Sequence, residues 1–305
     1  MAEELRFDNK VVVVTGAGQG LGKAYALEFA RRGAKVVVND HGVTTSGEGT
    51  SHELADQVVQ EITNAGGIAV ANYNNVINEG DKIIQTAIAS FGRIDVVVNN
   101  AGILRDLSMI KMTKADWDAV LAAHCRGAFS VVRAAWTYMR KQKYGRIINT
   151  SSGTGLYGNF GQANYGTAKL GLHGFTKTLA IEGDKYNIKV NTIVPVGASR
   201  MTKGILPDEI LVLFSSEKVA QLVVYLAHES CTTTGNIYDV LGGWVAGLRL
   251  QRTNGAFFAG NFTAEDVKSK EREIHSFEGA TDYPTVNTDT LGKVVTLAEA
   301  ARPKL

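Results

Sequence analysis

A glycine-rich turn between a valine strand and a helical segment is the sequence feature that most constrains the fold. Residues 11–15 read VVVVT, residues 16–22 read GAGQGLG, and an amphipathic segment, AYALEFARRG, follows. Gly16, Gly20 and Gly22 permit a tight turn and a close approach of the backbone to a ligand. The order of strand, turn and helix predicts that a pyrophosphate binds at the positive N-terminus of that helix.

Short β-branched runs alternate with helical patterns along most of the chain. The predicted strands cover residues 11–15, 36–40, 94–100, 146–152, 189–195 and 236–243. Continuous apolar strands separated by helices indicate a parallel sheet that is covered on both faces. We therefore expect one α/β domain, a doubly wound Rossmann fold with a mainly parallel sheet, over residues 1–245. The more polar residues 246–305 are expected to form a C-terminal extension packed on the same domain.

Two helices can be placed within this pattern. Ser51 can cap a helix in which Leu54, Val58 and Ile62 recur every four residues, and Gly66 and Gly67 are expected to end it. In the C-terminal extension, the charge run EDVKSKERE predicts a solvent-exposed helix face.

Composition and charge limit the kinds of partner. Lys plus Arg (32) nearly equal Asp plus Glu (30), so a net charge of +2 provides no electrostatic basis for binding nucleic acid or an anionic membrane. No run approaches the roughly 18 apolar residues of a membrane span, and the charged start predicts no secretory signal. Cys125 and Cys231 are far apart, which favours reduced thiols. The six histidines are scattered, and no motif predicts a metal site.

An acidic residue follows the second predicted strand at Asp40. A carboxylate at this position can accept hydrogen bonds from the hydroxyls of an adenosine ribose and repels a 2′-phosphate. Asp40 thus favours NAD as the cofactor over NADP. Arg31, Arg32 and Lys35 are near it in sequence and keep NADP open. A capping or turn aspartate is the structural alternative.

A tyrosine and a lysine four residues apart, Tyr165 and Lys169, are the candidates for acid–base chemistry. Residues at this spacing share one face of a helix. A phenol with a pKa near ~10 is a poor base at neutral pH, and a neighbouring cation favours the phenolate. Ser152 ends the preceding strand and can hydrogen-bond a substrate oxygen that changes between hydroxyl and carbonyl. Taken alone, such residues are more often a surface pair and a turn serine.

These elements together resemble the short-chain dehydrogenase/reductase family. The resemblance rests on TGAGQGLG at 15–22, NNAG at 99–102, Ser152, YGTAK at 165–169 and PVGASRMT at 195–202. It implies that Tyr165 is the general base, that Lys169 activates it and binds a ribose, and that Ser152 orients the substrate. The cofactor-binding residues that it implies are Gly16, Gly20, Leu21, Gly22, Asp40, Asn75, Val76, Asn99, Ala101, Gly102, Tyr165, Lys169, Val194 and Thr202.

One position departs from the family pattern. Where most members have Asn in an N-x-x-G motif that helps to hold a water relay to the catalytic lysine, this chain has His124 in H-C-R-G. A neutral imidazole can donate and accept, so His124 is a candidate catalytic accessory. A core-packing histidine is an equally good interpretation.

A narrower resemblance is to the dehydrogenase part of peroxisomal multifunctional enzymes, in segments such as FGRIDVVVNNAGILRD and GRIINTSSGTGLYGNFGQANYGTAKLGL. It implies NAD-dependent oxidation of a (3R)-3-hydroxyacyl-CoA to the 3-oxoacyl-CoA in fatty acid β-oxidation, by a homodimer. In relatives of this kind an enoyl-CoA hydratase is often fused to the dehydrogenase. Here a separate hydratase is an expected partner, and whether the chain is naturally single or a fragment remains open.

The location of the protein and its substrate each have more than one interpretation. The final Pro303-Lys304-Leu305 matches a Ser-Lys-Leu peroxisomal tripeptide only in its last two residues. With the narrower resemblance it favours the peroxisome over the cytoplasm. Arg105, Lys111 and Arg200 are candidates to meet CoA phosphates, although solvated surface charge explains them equally well. An NADPH-linked 3-oxoacyl reductase, a hydroxysteroid dehydrogenase and a non-catalytic dinucleotide-binding scaffold are the alternative functions.

Overall fold

A computed structural model of the chain describes residues 3–196, 214–285 and 288–300. Within these residues, eight strands form one sheet in the order β3-β2-β1-β4-β5-β6-β7-β8. The strands are β1 (Val11–Thr15), β2 (Lys35–Asn39), β3 (Ile68–Asn72), β4 (Val96–Asn99), β5 (Gly145–Thr150), β6 (Ile188–Val196), β7 (Ile237–Leu241) and β8 (Trp244–Leu248).

The helices of the described residues follow the strands in alternation. They are α1 (Gly20–Arg31), α2 (Glu53–Asn64), α3 (Gly80–Phe91), α4 (Lys114–Leu121), α5 (Gly127–Gln142), α6 (Gly153–Tyr157), α7 (Ala163–Gly183), α8 (Ser216–Ala227), α9 (Ala264–Ser269), α10 (Glu271–His275) and α11 (Thr288–Ala300). One π-helical turn, Ala122–Arg126, joins α4 to α5, and a 3₁₀ turn, Asp184–Tyr186, follows α7.

The sheet is covered on both faces because side chains alternate along each strand. In β1, Val12 and Val14 pack in a core cluster with α1, α2 and α8, whereas Val11 and Val13 pack in a second cluster with α3, α5 and α7. All four valines are fully buried, and burying a valine side chain contributes about 1.5–3 kcal/mol. This two-sided burial accounts for the unbroken valine run.

The strand order reverses at β1, which places a crevice at the carboxyl edge of the sheet. β1 pairs in parallel with β2 on one side and with β4 on the other. In doubly wound sheets, ligands bind at such a switch point, outside the carboxyl ends of the strands. The described sheet is thus the predicted doubly wound α/β fold with a mainly parallel sheet.

Two strands were missing from the sequence prediction. The β3 segment IAVAN is short and rich in alanine, so it lacks the β-branched signal of its neighbours. β8 follows β7 after Gly242 and Gly243, whose φ angles of 56° and 94° suit a two-residue hairpin turn.

The predicted second helix is confirmed with a small shift at its start. α2 begins at Glu53, and the Ser51 hydroxyl accepts a hydrogen bond from the Glu53 amide at 3.3 Å. Gly66 follows its end with a φ of 83°.

The chain divides into two compact units, Met1–Gly247 and Leu248–Leu305. Within the second unit, Arg252 pairs with Asp282 through two nitrogens, and Arg249 stacks over the Tyr283 ring. The predicted charge run forms α9 and α10 and is mostly exposed. In the described part of the chain, no helix combines the length and apolar character needed to cross a membrane.

Candidate active site

The glycine-rich turn packs tightly against the carboxyl ends of β1 and β4. Gly16 and Gly20 have φ angles of 62° and 54°, which favour glycine. A Cβ on Gly22 would lie 2.1 Å from the Gly16 carbonyl oxygen, so any larger residue would push α1 away from β1. The Asn100 side-chain amide donates to the carbonyl oxygens of Thr15 and Gly16 at 3.1 and 3.0 Å. The turn is thereby fixed in a shape that exposes the N-terminus of α1.

Asp40 connects this turn to the segment that follows β2. One of its carboxylate oxygens accepts from the Gly18 amide at 2.7 Å, and the other accepts from the Gly42 amide at 2.8 Å. Each oxygen has a second lone pair, so both can also accept a ribose hydroxyl. Asp40 therefore fits both the turn role and the ribose role that the sequence suggested.

The cations near Asp40 in sequence are engaged elsewhere. Arg31 pairs with Glu4 and Glu28. Arg32 pairs with Glu28 as well. Lys35 begins β2, whereas Asp40 follows the last residue of that strand. The cations are therefore committed to other partners or lie at the opposite end of the strand.

The structure brings Ser152, Tyr165 and Lys169 together beside the crevice. Ser152 follows β5 and caps α6, where its hydroxyl accepts from the Thr154 amide at 3.2 Å. Tyr165 and Lys169 lie on α7, and the Lys169 Nζ atom is 5.4 Å from the centre of the Tyr165 ring. The Nζ atom donates to the Thr150 carbonyl oxygen at 2.7 Å.

Burial dominates the electrostatics of the pair. It lowers the pKa of Lys169 to about 7 and raises the pKa of Tyr165 to about 12, an increase that a hydrogen bond with Ser152 partly offsets. The sequence argument expects Lys169 to lower the pKa of the phenol. Burial outweighs that effect, because Lys169 is 4% exposed and its own charge is disfavoured.

His124 lies on the π-helical turn, next to Tyr165 and Lys169. It is 3% exposed, and its ring packs edge-on against Tyr165 with 5.3 Å between the ring centres. Its Nε2 atom lies 2.9 Å from the Ile103 carbonyl oxygen and 3.3 Å from the Ile103 amide nitrogen. We assign the ring proton to Nε2, which then donates to the nearer carbonyl oxygen, since that oxygen can only accept. Burial, together with the charge of Lys169, holds the pKa of His124 well below its usual range. The imidazole is therefore neutral, and its Nδ1 atom is an acceptor with no partner among the described residues.

A small cavity adjoins His124 beneath the carboxyl edge of the sheet. Its volume is about 10 Å³, close to the minimum that one water molecule needs. The lining residues are Thr15, Val76, Asn99, Ala101, Ala123, His124, Gly127, Ala128, Thr150 and Leu172. The Thr150 hydroxyl, like the His124 Nδ1 atom, is buried and has no partner in the described part of the chain.

The other predicted cofactor residues have varied surroundings. The Asn99 amide donates to Asn149 at 2.8 Å, so its side chain supports the sheet. The side-chain oxygen of Asn75 accepts a hydrogen bond from the Ile77 amide. Val194 is buried in β6, and Leu21, in the first turn of α1, packs against the core. A Cβ on Gly102 would lie 2.0 Å from the His124 ring. Thr202 and Arg200 lie outside the described residues.

Asn164, which the sequence argument did not single out, and Arg105, which it considered only for CoA phosphates, support the segment around Tyr165. Asn164 is fully buried; its amide donates to the carbonyl oxygens of Arg105 and Asp116, and its oxygen accepts from the Tyr165 amide at 2.7 Å. Arg105 donates to the Ser46 carbonyl oxygen and lies 3.6 Å from Asp116, so its guanidinium is engaged within the protein. The only sequence signal for Asn164 is a poor helix former directly before Tyr165.

Among the described residues, no group of three or more histidine, cysteine, aspartate or glutamate side chains is placed to hold a metal ion.

The chain matches known proteins over nearly its whole length. A model of the family described as short chain dehydrogenase matches residues 10–209. Peroxisomal multifunctional enzyme A from Dictyostelium discoideum is 51% identical over 291 residues, which cover 95% of this chain and 65% of that protein. The chain thus spans less than two thirds of the length of this relative.

Solved structures agree with the sequence matches. The full-length peroxisomal multifunctional enzyme type 2 from Drosophila melanogaster superimposes with a TM-score of 0.84 and 42% identity, over 98% of this chain and 51% of that one. A 7α-hydroxysteroid dehydrogenase in complex with NADH and 7-oxoglycochenodeoxycholic acid superimposes with a TM-score of 0.71 and 27% identity, over 80% of this chain and 98% of that one.

Proposed function

Because this chain belongs to the short-chain dehydrogenase family, we propose that it oxidises (3R)-3-hydroxyacyl-CoA to 3-oxoacyl-CoA with NAD in peroxisomal β-oxidation. The proposal rests on the grouping of Ser152, Tyr165 and Lys169 beside a glycine-lined crevice. Identity of 51% to a peroxisomal multifunctional enzyme, over 95% of the chain, supports the substrate class.

The residues at the crevice fit a nicotinamide dinucleotide, the cofactor class of the family. Gly22 leaves no room for a side chain, and the N-terminus of α1 is available to the pyrophosphate. Asp40 would accept the ribose hydroxyls, and its charge would oppose a 2′-phosphate, which favours NAD over NADP. Arg31 and Arg32 have acidic partners of their own, which removes the main reason to expect NADP.

The chemistry requires a base for the 3-hydroxyl and an acceptor for the hydride on C3. The nicotinamide supplies the hydride acceptor when it is bound. Ser152 orients the substrate hydroxyl, and Tyr165 removes its proton. Lys169 stabilises the phenolate that results. Burial raises the pKa of Tyr165 to about 12, so the phenolate would need the positive charge of Lys169 and the further positive charge that an oxidised nicotinamide would supply.

His124 is proposed as a positioning residue for a water molecule that bridges its Nδ1 atom and the Thr150 hydroxyl. Both residues line one cavity, both atoms are buried without a partner among the described residues, and the Thr150 carbonyl oxygen accepts from Lys169. Such a water would pass protons toward Lys169. The His124→Asn variant should keep the pH profile of kcat, since asparagine also accepts, whereas His124→Phe should shift it. Unchanged pH profiles in both variants would reduce His124 to a packing residue.

The assembly and location of the protein follow from the same resemblance. We expect a homodimer, and an enoyl-CoA hydratase as the class of enzyme that supplies the substrate. Relatives named as peroxisomal enzymes support the peroxisome as the location, with the cytoplasm as the alternative. Import of a reporter carrying the last ten residues, compared with one that lacks the final three, would test the location.

The deciding experiment measures NADH formation with (3R)- and (3S)-3-hydroxyacyl-CoA of medium length, each with NAD and NADP. We expect turnover only with the 3R isomer and NAD. The Tyr165→Phe variant should lose about 10²–10⁴-fold in kcat while it retains NAD binding. Tyr157→Phe, which alters a tyrosine that is 71% exposed at the end of α6, is the matched control. Near-normal turnover in Tyr165→Phe would refute the assigned base.

A hydroxysteroid is the second candidate substrate, because the 27% identical hydroxysteroid dehydrogenase superimposes on 80% of the chain. The same assay with 7α-hydroxysteroids distinguishes the two. Reduction of a 3-oxoacyl substrate with NADPH, in preference to NADH, would instead indicate a reductase. NAD binding without turnover of any of these alcohols would favour a non-catalytic scaffold.

A further inference from the structure

The segment between β2 and α2 reaches across the carboxyl end of β1. We call residues 41–51 the strap. The Leu104 amide donates to the Thr45 carbonyl oxygen at 2.8 Å, and the Arg105 guanidinium donates to the Ser46 carbonyl oxygen at 3.0 Å. β2 and β4 lie on opposite sides of β1. A contact between the strap and the residues after β4 therefore crosses the switch point, where the dinucleotide crevice lies.

The strap is an ordered loop held by its own hydrogen bonds. The Thr44 amide donates to the Glu48 carbonyl oxygen, and the Glu48 amide donates to the Thr44 hydroxyl. At the base of the loop, the Ser51 amide donates to the His41 carbonyl oxygen at 3.3 Å. The strap is thus tied at its base and within its turn, and residues 104 and 105 bind it on the far side of the crevice.

Apolar packing adds to the attachment. Val43 of the strap packs against a small cluster that contains Ile103, Val120 and Ala168, and Tyr165 packs against the same cluster. Gly47 has a φ of 91°, and a Cβ there would lie 3.1 Å from the Ile103 side chain. The strap therefore packs against this cluster through Val43 and lies close to Ile103 at Gly47.

Arg105 joins the strap to the helix of the proposed base. Its guanidinium binds Ser46 and lies 3.6 Å from Asp116, which caps α4. Its carbonyl oxygen accepts from Asn164, whose own oxygen accepts from the Tyr165 amide. The side chain is 27% exposed, so the bond to Ser46 is partly shielded from water.

We propose that Arg105 is a positioning residue that fastens the strap over the dinucleotide crevice, so that the strap must open before a nicotinamide dinucleotide binds or leaves. The inference rests on the cofactor class of the proposed function but not on its acyl-CoA substrate. Arg105 does not need to touch the cofactor for this role. It acts through the Ser46 carbonyl oxygen and thereby sets the rate at which the crevice becomes accessible.

The test measures NADH association and dissociation by stopped-flow fluorescence in the full chain, with no acyl-CoA present. In Arg105→Met both rates should rise about tenfold, equivalent to about 1.4 kcal/mol in the opening barrier, and Kd should change by much less. Arg105→Lys retains one donor and should restore part of the slow exchange. Lys111→Met is the matched control, since it removes an exposed cation from the same connection after β4.

Faster release without faster association would overturn the proposal, because it would make Arg105 an ordinary binding contact. Unchanged rates in Arg105→Met would also overturn it.

Amide hydrogen exchange in the cofactor-free protein provides an independent readout. In Arg105→Met, exchange should accelerate at Leu104 and Glu48, while the amides of α1 remain as in the wild type. Equal acceleration in α1 would mean general destabilisation and would count against the proposal. If wild-type protein binds no NADH, the proposed function fails, whereas the exchange experiment still tests the fastening of the strap.

Discussion

Replacing the buried Lys169 with methionine should stabilise the cofactor-free protein at neutral pH while it abolishes turnover. Lys169 is 4% exposed, and its Nζ atom donates to the Thr150 carbonyl oxygen at 2.7 Å. Methionine is similar in length and brings no charge into the core. The loss of turnover in this variant measures how much catalysis needs a cation at this position. The gain in stability measures what burying that cation costs the folded protein.

The size of the effect follows from the lowered pKa of Lys169. Burial moves it from 10.5 to about 7. Between those pH values the unfolded chain binds a proton that the folded protein lacks, so stability rises with pH, at a slope approaching about 1.4 kcal/mol per pH unit. The wild type should gain about 2 kcal/mol from pH 7 to pH 9. At pH 7, burying the Lys169 amine destabilises the wild type by about 4 kcal/mol, and the variant is relieved of this cost. The variant also loses the hydrogen bond from Nζ to the Thr150 carbonyl oxygen, which costs it about 1.5–3 kcal/mol.

The Lys169→Met variant should therefore be more stable than the wild type by about 1–2 kcal/mol at pH 7. Urea unfolding of the cofactor-free proteins at several pH values between 6 and 9.5 measures this difference, which should shrink as the pH rises. Lys141→Met, at an exposed lysine near the end of α5, is the control and should follow the wild type. A difference between Lys169→Met and wild type that is independent of pH would refute the assigned cost of burial.

Three further substitutions test other parts of the site. Gly22→Ala should cost about 1–3 kcal/mol of stability and weaken NADH binding. Gly174→Ala is the control, because a Cβ there meets nothing within 4 Å, and equal behaviour of the two variants would contradict the tight packing of α1. Asn164→Asp should lower the free energy of unfolding by about 2–4 kcal/mol, because a carboxylate would face two carbonyl oxygens. The loss should be larger than in Asn164→Ala, and the opposite order in urea unfolding would overturn the assigned amide orientation. Asp40→Asn should reduce the preference for NAD over NADP in kcat/KM at least about tenfold, and an unchanged ratio would separate Asp40 from cofactor choice.

Much of the fold could be predicted from local sequence. The valine run of β1, the glycines after it and the helix that follows are a continuous segment whose conformation depends on its own residues. The same holds for Tyr165 and Lys169, because a spacing of four residues places two side chains on one face of any helix. For this reason the crevice and the proposed catalytic set could be placed before the structure was known.

The supporting contacts could not be predicted in this way. Asn164 binds carbonyl oxygens of residues 59 and 48 positions earlier in the chain, and Arg105 binds Ser46 across a separation of 59 positions. No periodicity marks such a contact, since it depends on how loops from different strands meet. The π-helical turn that carries His124 was also missed, because its sequence is compatible with an ordinary helix.

Six of the eight described strands, the glycine turn and the residue types available for proton transfer could be identified from the chain alone, because each of these depends on short-range spacing and backbone freedom. Only the tertiary structure decided how those groups are charged and held. Lys169 is buried deeply enough to lower its pKa to about 7, and the strap crosses the crevice to reach Arg105. Burial and hydrogen bonding between distant segments exist only once the chain has packed, and they set the electrostatics of the site.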